Sequence, residues 1–142
     1  MDNDLYLGKK NSIERCLARI KQEMGTGQDP LANVTQMDAV VLNLQRACEI
    51  SIDVAMHAIS HHKLGLPQTS RDAFQILVDA KVLSQDLGLR LKKMVGFRNI
   101  AIHDYQLVTP AILGLILRDH LKDFEEFFSA LEQKWPLPPT VK

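Results

Sequence analysis

Cysteine is scarce, net charge is absent and no long apolar run occurs, and each shortage closes off a class of protein. The 142 residues include two cysteines, Cys16 and Cys48. These lack CxxC spacing and both fall on helical apolar stripes, so buried reduced thiols in a reducing cytoplasm are expected rather than a disulfide framework. Lysine plus arginine equals aspartate plus glutamate, 17 each, so no global positive field gathers nucleic acid or an anionic membrane, and any phosphate site must be local. Nowhere do about 18 consecutive apolar residues occur, and the opening stretch MDNDLYLGKKNS has no basic segment followed by an apolar run. Membrane spanning and secretion are therefore disfavoured.

Several catalytic and metal-binding patterns are missing as well. There is no Gly-rich phosphate loop, no Ser-His-Asp arrangement and no carboxylate cluster suited to two metals. His57 and His61 stand four apart with His62 beside them and could present two nitrogens to one metal, but no HExxH carboxylate or cysteine ligand accompanies them. Packing or solvent-facing roles are expected for them, with no metal and no cofactor. His120 is expected on the solvated side of the last helix, Phe124, Phe127 and Phe128 in the core rather than on a base-stacking platform, and Trp135 over one end of the fold.

What the chain does contain is helical periodicity. Apolar residues make up 46% and charged residues 24%, ordinary for a folded globular chain, and one domain of this length buries roughly 68% of its unfolded surface. Ile13, Cys16, Leu17, Ile20 and Met24 recur at three- and four-residue steps behind Ser12, predicting a first helix from about Ser12 to Met24. GTGQDP breaks it. From about Asn33 to His62, Met37, Val40, Val41, Leu44, Ala47, Cys48, Ile52, Ala55 and Ile59 hold one face, predicting a helix of roughly 40 Å. Gly65 and Pro67 end it. Thr69 with Asp72, or Ser70 alone, then caps a shorter helix with Ala73, Phe74, Leu77 and Val78 inward.

Ser84 is the predicted cap of a fourth helix, about Gln85 to Phe97, burying Leu87, Leu91, Met94 and Val95. Thr109 followed by Pro110 starts a last one with Ile112, Leu113, Ile116, Leu117, Leu121, Phe124, Phe128 and Leu131 inward. The expected architecture is all-α, an antiparallel bundle of about five helices forming one domain over residues 1–135, with a Pro-rich tail, 136–142.

One stretch concentrates chemistry. VGFRNIAIHDYQ places Arg98, Asn99, His103, Asp104 and Tyr105 together at the predicted end of the fourth helix, with Ile100, Ala101 and Ile102 as apolar anchors. A five-residue step along a regular helix turns by about 500°, leaving Arg98 and His103 roughly 140° apart. Convergence therefore requires either that the helix end near Asn99 and the chain fold back, or that a second copy supply the partner groups. Metal-free RNA cleavage needs a base for the ribose 2′-hydroxyl, a cation for the phosphorane and an acid for the leaving 5′-oxygen, needs that histidine and arginine meet. One histidine cannot be acid and base within a single step, and a symmetric dimer would supply two. Local charge agrees: between Arg71 and Arg98 six basic residues (Arg71, Lys81, Arg90, Lys92, Lys93, Arg98) face three acidic ones (Asp72, Asp79, Asp86), 6 − 3 = +3. A purely structural role stands beside this reading, with Arg98 capping the last carbonyls of a helix.

MVGFRNIAIHDY resembles the signature of HEPN-domain ribonuclease toxins of the HepT family, whose R-x4-H-x-Y motif is often opened by GFRN. ACEISIDVAMHAIS, LGLPQTSRDAFQIL and RLKKMVGFRN resemble the same family, so the similarity runs from about Ile13 to Phe128. The resemblance implies a HEPN-like helical fold and a cytoplasmic, homodimeric, metal-independent endoribonuclease acting on cellular RNA. Arg98 and His103 would be catalytic, Asn99, Tyr105 and Asp104 supporting, and Arg90, Lys92 and Lys93 phosphate-binding. It further implies a partner, a nucleotidyltransferase antitoxin of the MNT type that transfers AMP to Tyr105. The chain itself carries no signature of that enzyme. The alternative is a non-catalytic helical module that binds the nucleotidyltransferase or its substrate.

Overall fold

The computed structural model describes residues 2–24 and 33–138, and GTGQDP and the last four residues of the tail lie outside them. The described residues form α1 (Asn3–Met24), α2 (Val34–His61), α3 (Ser70–Asp79), α4 (Gln85–His103), a single 3₁₀ turn (Tyr105–Leu107), α5 (Pro110–Asp119) and α6 (Lys122–Lys134), with no strand among them. The long α2 is the spine: α1, α3, α4 and α6 all pack on it, α3 packs on α4, and α4 on α6.

Caps are where local chemistry sets the boundaries. Asn33, Thr69, Ser84 and Thr109 each accept a hydrogen bond from the backbone N–H three residues on, at 3.1, 3.0, 3.1 and 3.2 Å, satisfying donors that the first helical turn leaves free. Asp72 completes the start of α3 by accepting from the Gln68 N–H at 2.9 Å, so Thr69, not Ser70, is its cap.

Besides the end of α4, which lies at His103 and not Phe97, two boundaries depart from the periodicity. First, α1 begins well before Ser12, because Tyr6 is buried and donates its hydroxyl to Glu132 on α6 at 2.6 Å, while Lys10 reaches the same carboxylate at 2.6 Å. Ser12 is then a mid-helix residue whose hydroxyl accepts from Arg15. Second, the last helix is two: the chain breaks between Asp119 and Lys122, giving six helices instead of five. The break lets Asp123 stand in the first turn of α6, where a carboxylate suits the helix dipole, while turning it wholly inward.

Asp123 is 0% exposed and is engaged by Arg90 of α4 and, at 2.9 Å, by Nδ1 of His120. Arg90 also holds Asp86 at 3.0 Å and Glu126 at 2.6 Å. Burial alone lowers the tendency of Arg90 to stay protonated, and the Glu126 and Asp123 carboxylates more than reverse this. Arg90 is therefore a tie between α4 and α6 and not a free phosphate ligand, and His120 is half-buried in that tie rather than solvated.

The aromatic core is as the periodicity predicts. Phe74, Phe124 and Phe127 are fully buried, and Phe127 meets Phe74 and Phe128 edge-on, each at a 5.5 Å centroid distance. Such rings contribute about 1.5–3 kcal/mol each by burial. Cys16 and Cys48 are buried and unpaired. Met24 and Ile112, counted inward from spacing, are 40% and 42% exposed, and Ile102, read as an apolar anchor, is 43% exposed; each lies near a helix end. Trp135 stacks on His62, with ring planes 4° apart and centroids 3.8 Å apart, and so covers one end of α2.

Removing Arg90 strands a buried carboxylate, a change that costs about 3–5 kcal/mol where the charge is fully desolvated. Arg90→Ala is expected near the lower end, about 3 kcal/mol, as a lower urea midpoint at unchanged slope, and Arg90→Met with Asp123→Leu is expected to restore most of it. A loss under about 0.5 kcal/mol, ordinary for a surface substitution, would show that the tie contributes nothing.

Candidate functional site

The polar segment is carried by the end of α4, and the helix does not stop where its apolar pattern weakens. It runs on through Asn99 to His103, and Asp104 closes it, its N–H donating to the Ile100 carbonyl at 2.8 Å. The chain therefore does not fold back near Asn99. Arg98 and His103 remain on regular helix, about 140° apart around the axis, and do not converge within one chain.

Arg98 is half-buried and turned toward the start of α3, donating from Nη2 to the Ser70 hydroxyl at 3.3 Å. Its Nε is buried without a hydrogen-bond partner. An unmet donor on a buried cation is costly, and a ligand oxygen would satisfy it. Cys48 lies close by, its thiol donating to the Met94 carbonyl at 3.6 Å. Burial pushes that thiol up to about 12 against the opposing charge of Arg98, so Cys48 is a neutral wall and not a nucleophile.

His103 is exposed, and its ring makes no hydrogen bond among the described residues. Asn99 is half-buried one turn before it, and Asp104 is exposed with a 3.5 Å contact from Gln106. Lys93 is exposed, whereas Lys92 is half-buried and donates to the Gln75 side-chain oxygen of α3, a neutral partner that leaves its charge uncompensated.

Tyr105 opens the 3₁₀ turn, and its hydroxyl donates to the Asp38 carboxylate on the first turns of α2. Burial, then the Asp38 hydrogen bond and charge, push the phenol up to about 12. Spacing had no access to this contact, nor to that between Arg98 and Ser70, since both partners come from distant helices.

Around the motif the surface is apolar. Ile102, Leu107, Ile112 and Leu115 are exposed, and a groove of about 390 Å³ runs between α4 and α5 over Phe97, Ile100, Leu107 and Ile112 with Arg71 and Lys93 at its rim. Of the histidines of α2, His57 lies 3.6 Å from Asp53 while His61 meets His62 edge-on, and no cluster of three metal-ligating side chains occurs among the described residues.

Residues 13–131 match the family model described as Ribonuclease HepT-like. The chain is 44% identical over 130 residues to the mRNA nuclease HepT of Shewanella oneidensis, covering 92% of this chain and 98% of that one. It superposes with a TM-score of 0.87 at 43% identity on a chain from the crystal structure of a toxin–antitoxin complex with AMP-PNP, over 92% of this chain and 99% of that one. The TM-score is again 0.87, at 43% identity over 93% and 99%, for the tri-AMPylated Shewanella oneidensis HEPN toxin in complex with MNT antitoxin.

The Tyr105–Asp38 contact has a spectroscopic signature. A neighbouring anion disfavours phenolate, so Asp38→Asn is expected to move the Tyr105 titration part of the way from about 12 back toward its ordinary value of 10.0, burial holding the rest. Phenolate absorbance, taken as the difference between Asp38→Asn and the same variant with Tyr105→Phe, reads that midpoint. A midpoint equal to wild type would mean that the two groups do not meet in solution.

Proposed function

The chain belongs to the HepT-like ribonuclease family, and from that membership we propose that it is the endoribonuclease toxin of a toxin–antitoxin pair. Cutting takes place without a metal ion at a cleft between two copies, and a partner nucleotidyltransferase neutralises it by AMPylation of Tyr105. The observation that carries this reading is the orientation of Arg98 and His103 on one unbroken helix. Each is presented to a different side, one with an unmet buried donor and one open to solvent, so a working site needs a second motif. The exposed apolar residues Ile102, Leu107, Ile112 and Leu115 beside the motif supply surface for that second copy.

At such a cleft one His103 takes the proton of the ribose 2′-hydroxyl as its oxygen attacks phosphorus. The bond from phosphorus to the 5′-oxygen breaks, and the other His103, in its protonated form, gives that oxygen a proton. Arg98 stabilises the charge that builds on the phosphorane oxygens, its fork matching two of them. Asn99 orients the strand, Asp104 is a supporting residue next to His103 in the chain whose carboxylate does not meet the imidazole in a single copy, and Lys92 and Lys93 bind flanking phosphates; Arg90 drops out of that set because its charge is already paired. The products end in a 2′,3′-cyclic phosphate and a 5′-hydroxyl.

The related toxin was crystallised AMPylated and with its MNT antitoxin, and Tyr105 fits that switch. Its hydroxyl oxygen attacks the α-phosphorus of ATP and gives up its proton to solvent, the bond to the β-phosphate bridge breaks and pyrophosphate leaves. The added group brings a negative charge and a nucleotide to a position two residues from His103, where both repel and obstruct an RNA phosphate. The new charge also faces Asp38, which loses the hydrogen bond it had been accepting.

Purified protein is expected to cleave RNA in EDTA, leaving 2′,3′-cyclic ends. His103→Ala is expected to lose at least about a hundredfold in kcat, and Arg98→Ala about 2–4 kcal/mol of transition-state stabilisation, both with unchanged circular dichroism. With ATP and its cognate nucleotidyltransferase the intact mass should rise in AMP-sized steps, and Tyr105→Phe should stop this. A folded His103→Ala that still cleaves removes the histidine from the mechanism; a wild type that binds the nucleotidyltransferase but cuts no RNA favours the interaction module instead.

A further inference from the structure

We propose that Arg71 holds a phosphate of the bound RNA that flanks the one being cut, so that the His103 face of α4 is a track for the strand. The proposal rests on the ribonuclease reading above. Positions 92, 96, 99 and 103 follow one another at four-, three- and four-residue steps, which keeps them within roughly 40° of His103 around the helix. Lys92, Asn99 and His103 supply polar groups along this line, and Gly96 leaves a gap in it.

The gap is filled from another helix. A Cβ built on Gly96 would lie 2.9 Å from Nη2 of Arg71, so the guanidinium crosses the stripe where α4 has no side chain of its own. Its Nε donates to the Lys92 carbonyl at 3.4 Å, which fixes the fork over α4. Arg71 is exposed, and no carboxylate among the described residues pairs with it, in contrast to Arg90 with its three. The remaining N–H donors of a guanidinium held this way suit two oxygens of one phosphate.

The order along the helix sets which phosphate that is. Gly96 and His103 are seven residues apart, about 10 Å of axial rise. That is beyond the reach of a single phosphodiester group, so Arg71 meets a neighbour of the scissile linkage. Lys93, exposed at the rim of the same groove, adds charge on that side. Ser70 and Arg71 together thus let the first turn of α3 touch both working faces of α4: Ser70 receives Arg98, and Arg71 extends the line that leads to His103.

The test uses the full chain and single-stranded RNA oligonucleotides in which one linkage at a time, on either side of the cut bond, is a neutral methylphosphonate. Wild type is expected to show about a tenfold rise in KM for one flanking position. Arg71→Ala should show that rise already on all-phosphate RNA, with kcat kept, a log-log salt slope smaller by about 0.7, and no further loss from the sensitive methylphosphonate. Gly96→Ala, which only displaces the flexible end of Arg71, should give the same pattern with the charge intact and guards against misfolding of the arginine variant. A loss in Arg71→Ala that adds to that of every methylphosphonate, or no loss at all, overturns the proposal. Wild type that cuts none of these RNAs brings down the ribonuclease reading itself, and this one with it.

Discussion

A helix that continues without a break for five residues turns its side chains through about one and two-fifths revolutions, and this rotation governs how α4 can present its polar end. Because α4 stays helical to His103, Arg98 looks toward the α2 and α3 side of the bundle while His103 looks outward. Neither can be brought round to the other without unwinding a turn anchored by buried Ala101 and half-buried Ile100. On the proposed reading a single copy therefore holds two half-sites, and the chemistry becomes a property of an assembly. The same rotation explains why the start of α3 matters: Ser70 meets Arg98 on one face of α4, and Arg71 crosses the other over Gly96.

The basic residues of this region divide by what surrounds them rather than by where they fall in sequence. Arg90 is engaged by three carboxylates, one of them wholly buried, and in such a cluster desolvation offsets much of the attraction. Lys92 faces a neutral glutamine and Arg71 a backbone carbonyl, partners that hold geometry and leave charge. The local excess of +3 is thus unevenly available: the part carried by Arg90 is consumed inside the bundle, and the part over Gly96 is open to an anion.

Much of the fold can be read from the chain because helix starts and cores are local matters. Thr69, Ser84 and Thr109 are caps by side-chain chemistry alone, and Phe74, Leu91, Leu113 and Phe124 lie inward by period alone. What escaped that reading was decided between helices. Tyr6 extends α1 because Glu132 waits on α6. The break after Asp119 has no glycine or proline to announce it, and the spacing of Leu117, Leu121 and Phe124 passes smoothly through it; beyond it Asp123 docks on Arg90, a contact between helices that no interval reveals. In the motif, residue types and spacing identified the segment, and the family resemblance assigned roles, but Ser70, Arg71 and Asp38 enter it from α3 and α2, where no interval within the motif points.

The end of α4 also separates two tasks that share a few residues. Had the helix run on to Tyr105, that side chain would have stood about 200° from His103, on the far side of the axis. Asp104 closes the helix instead, and the 3₁₀ turn leads Tyr105 away to Asp38 on α2. The hydroxyl is thereby held by the scaffold rather than by the imidazole, and the imidazole is left free of any tyrosine contact. On the proposed reading this arrangement lets an unmodified Tyr105 stand beside the cleft without occupying it, while a modified one cannot keep its place. A phosphodiester has no proton for Asp38 and repels its charge, so the bond that parks the tyrosine is lost in the same step that adds the blocking group.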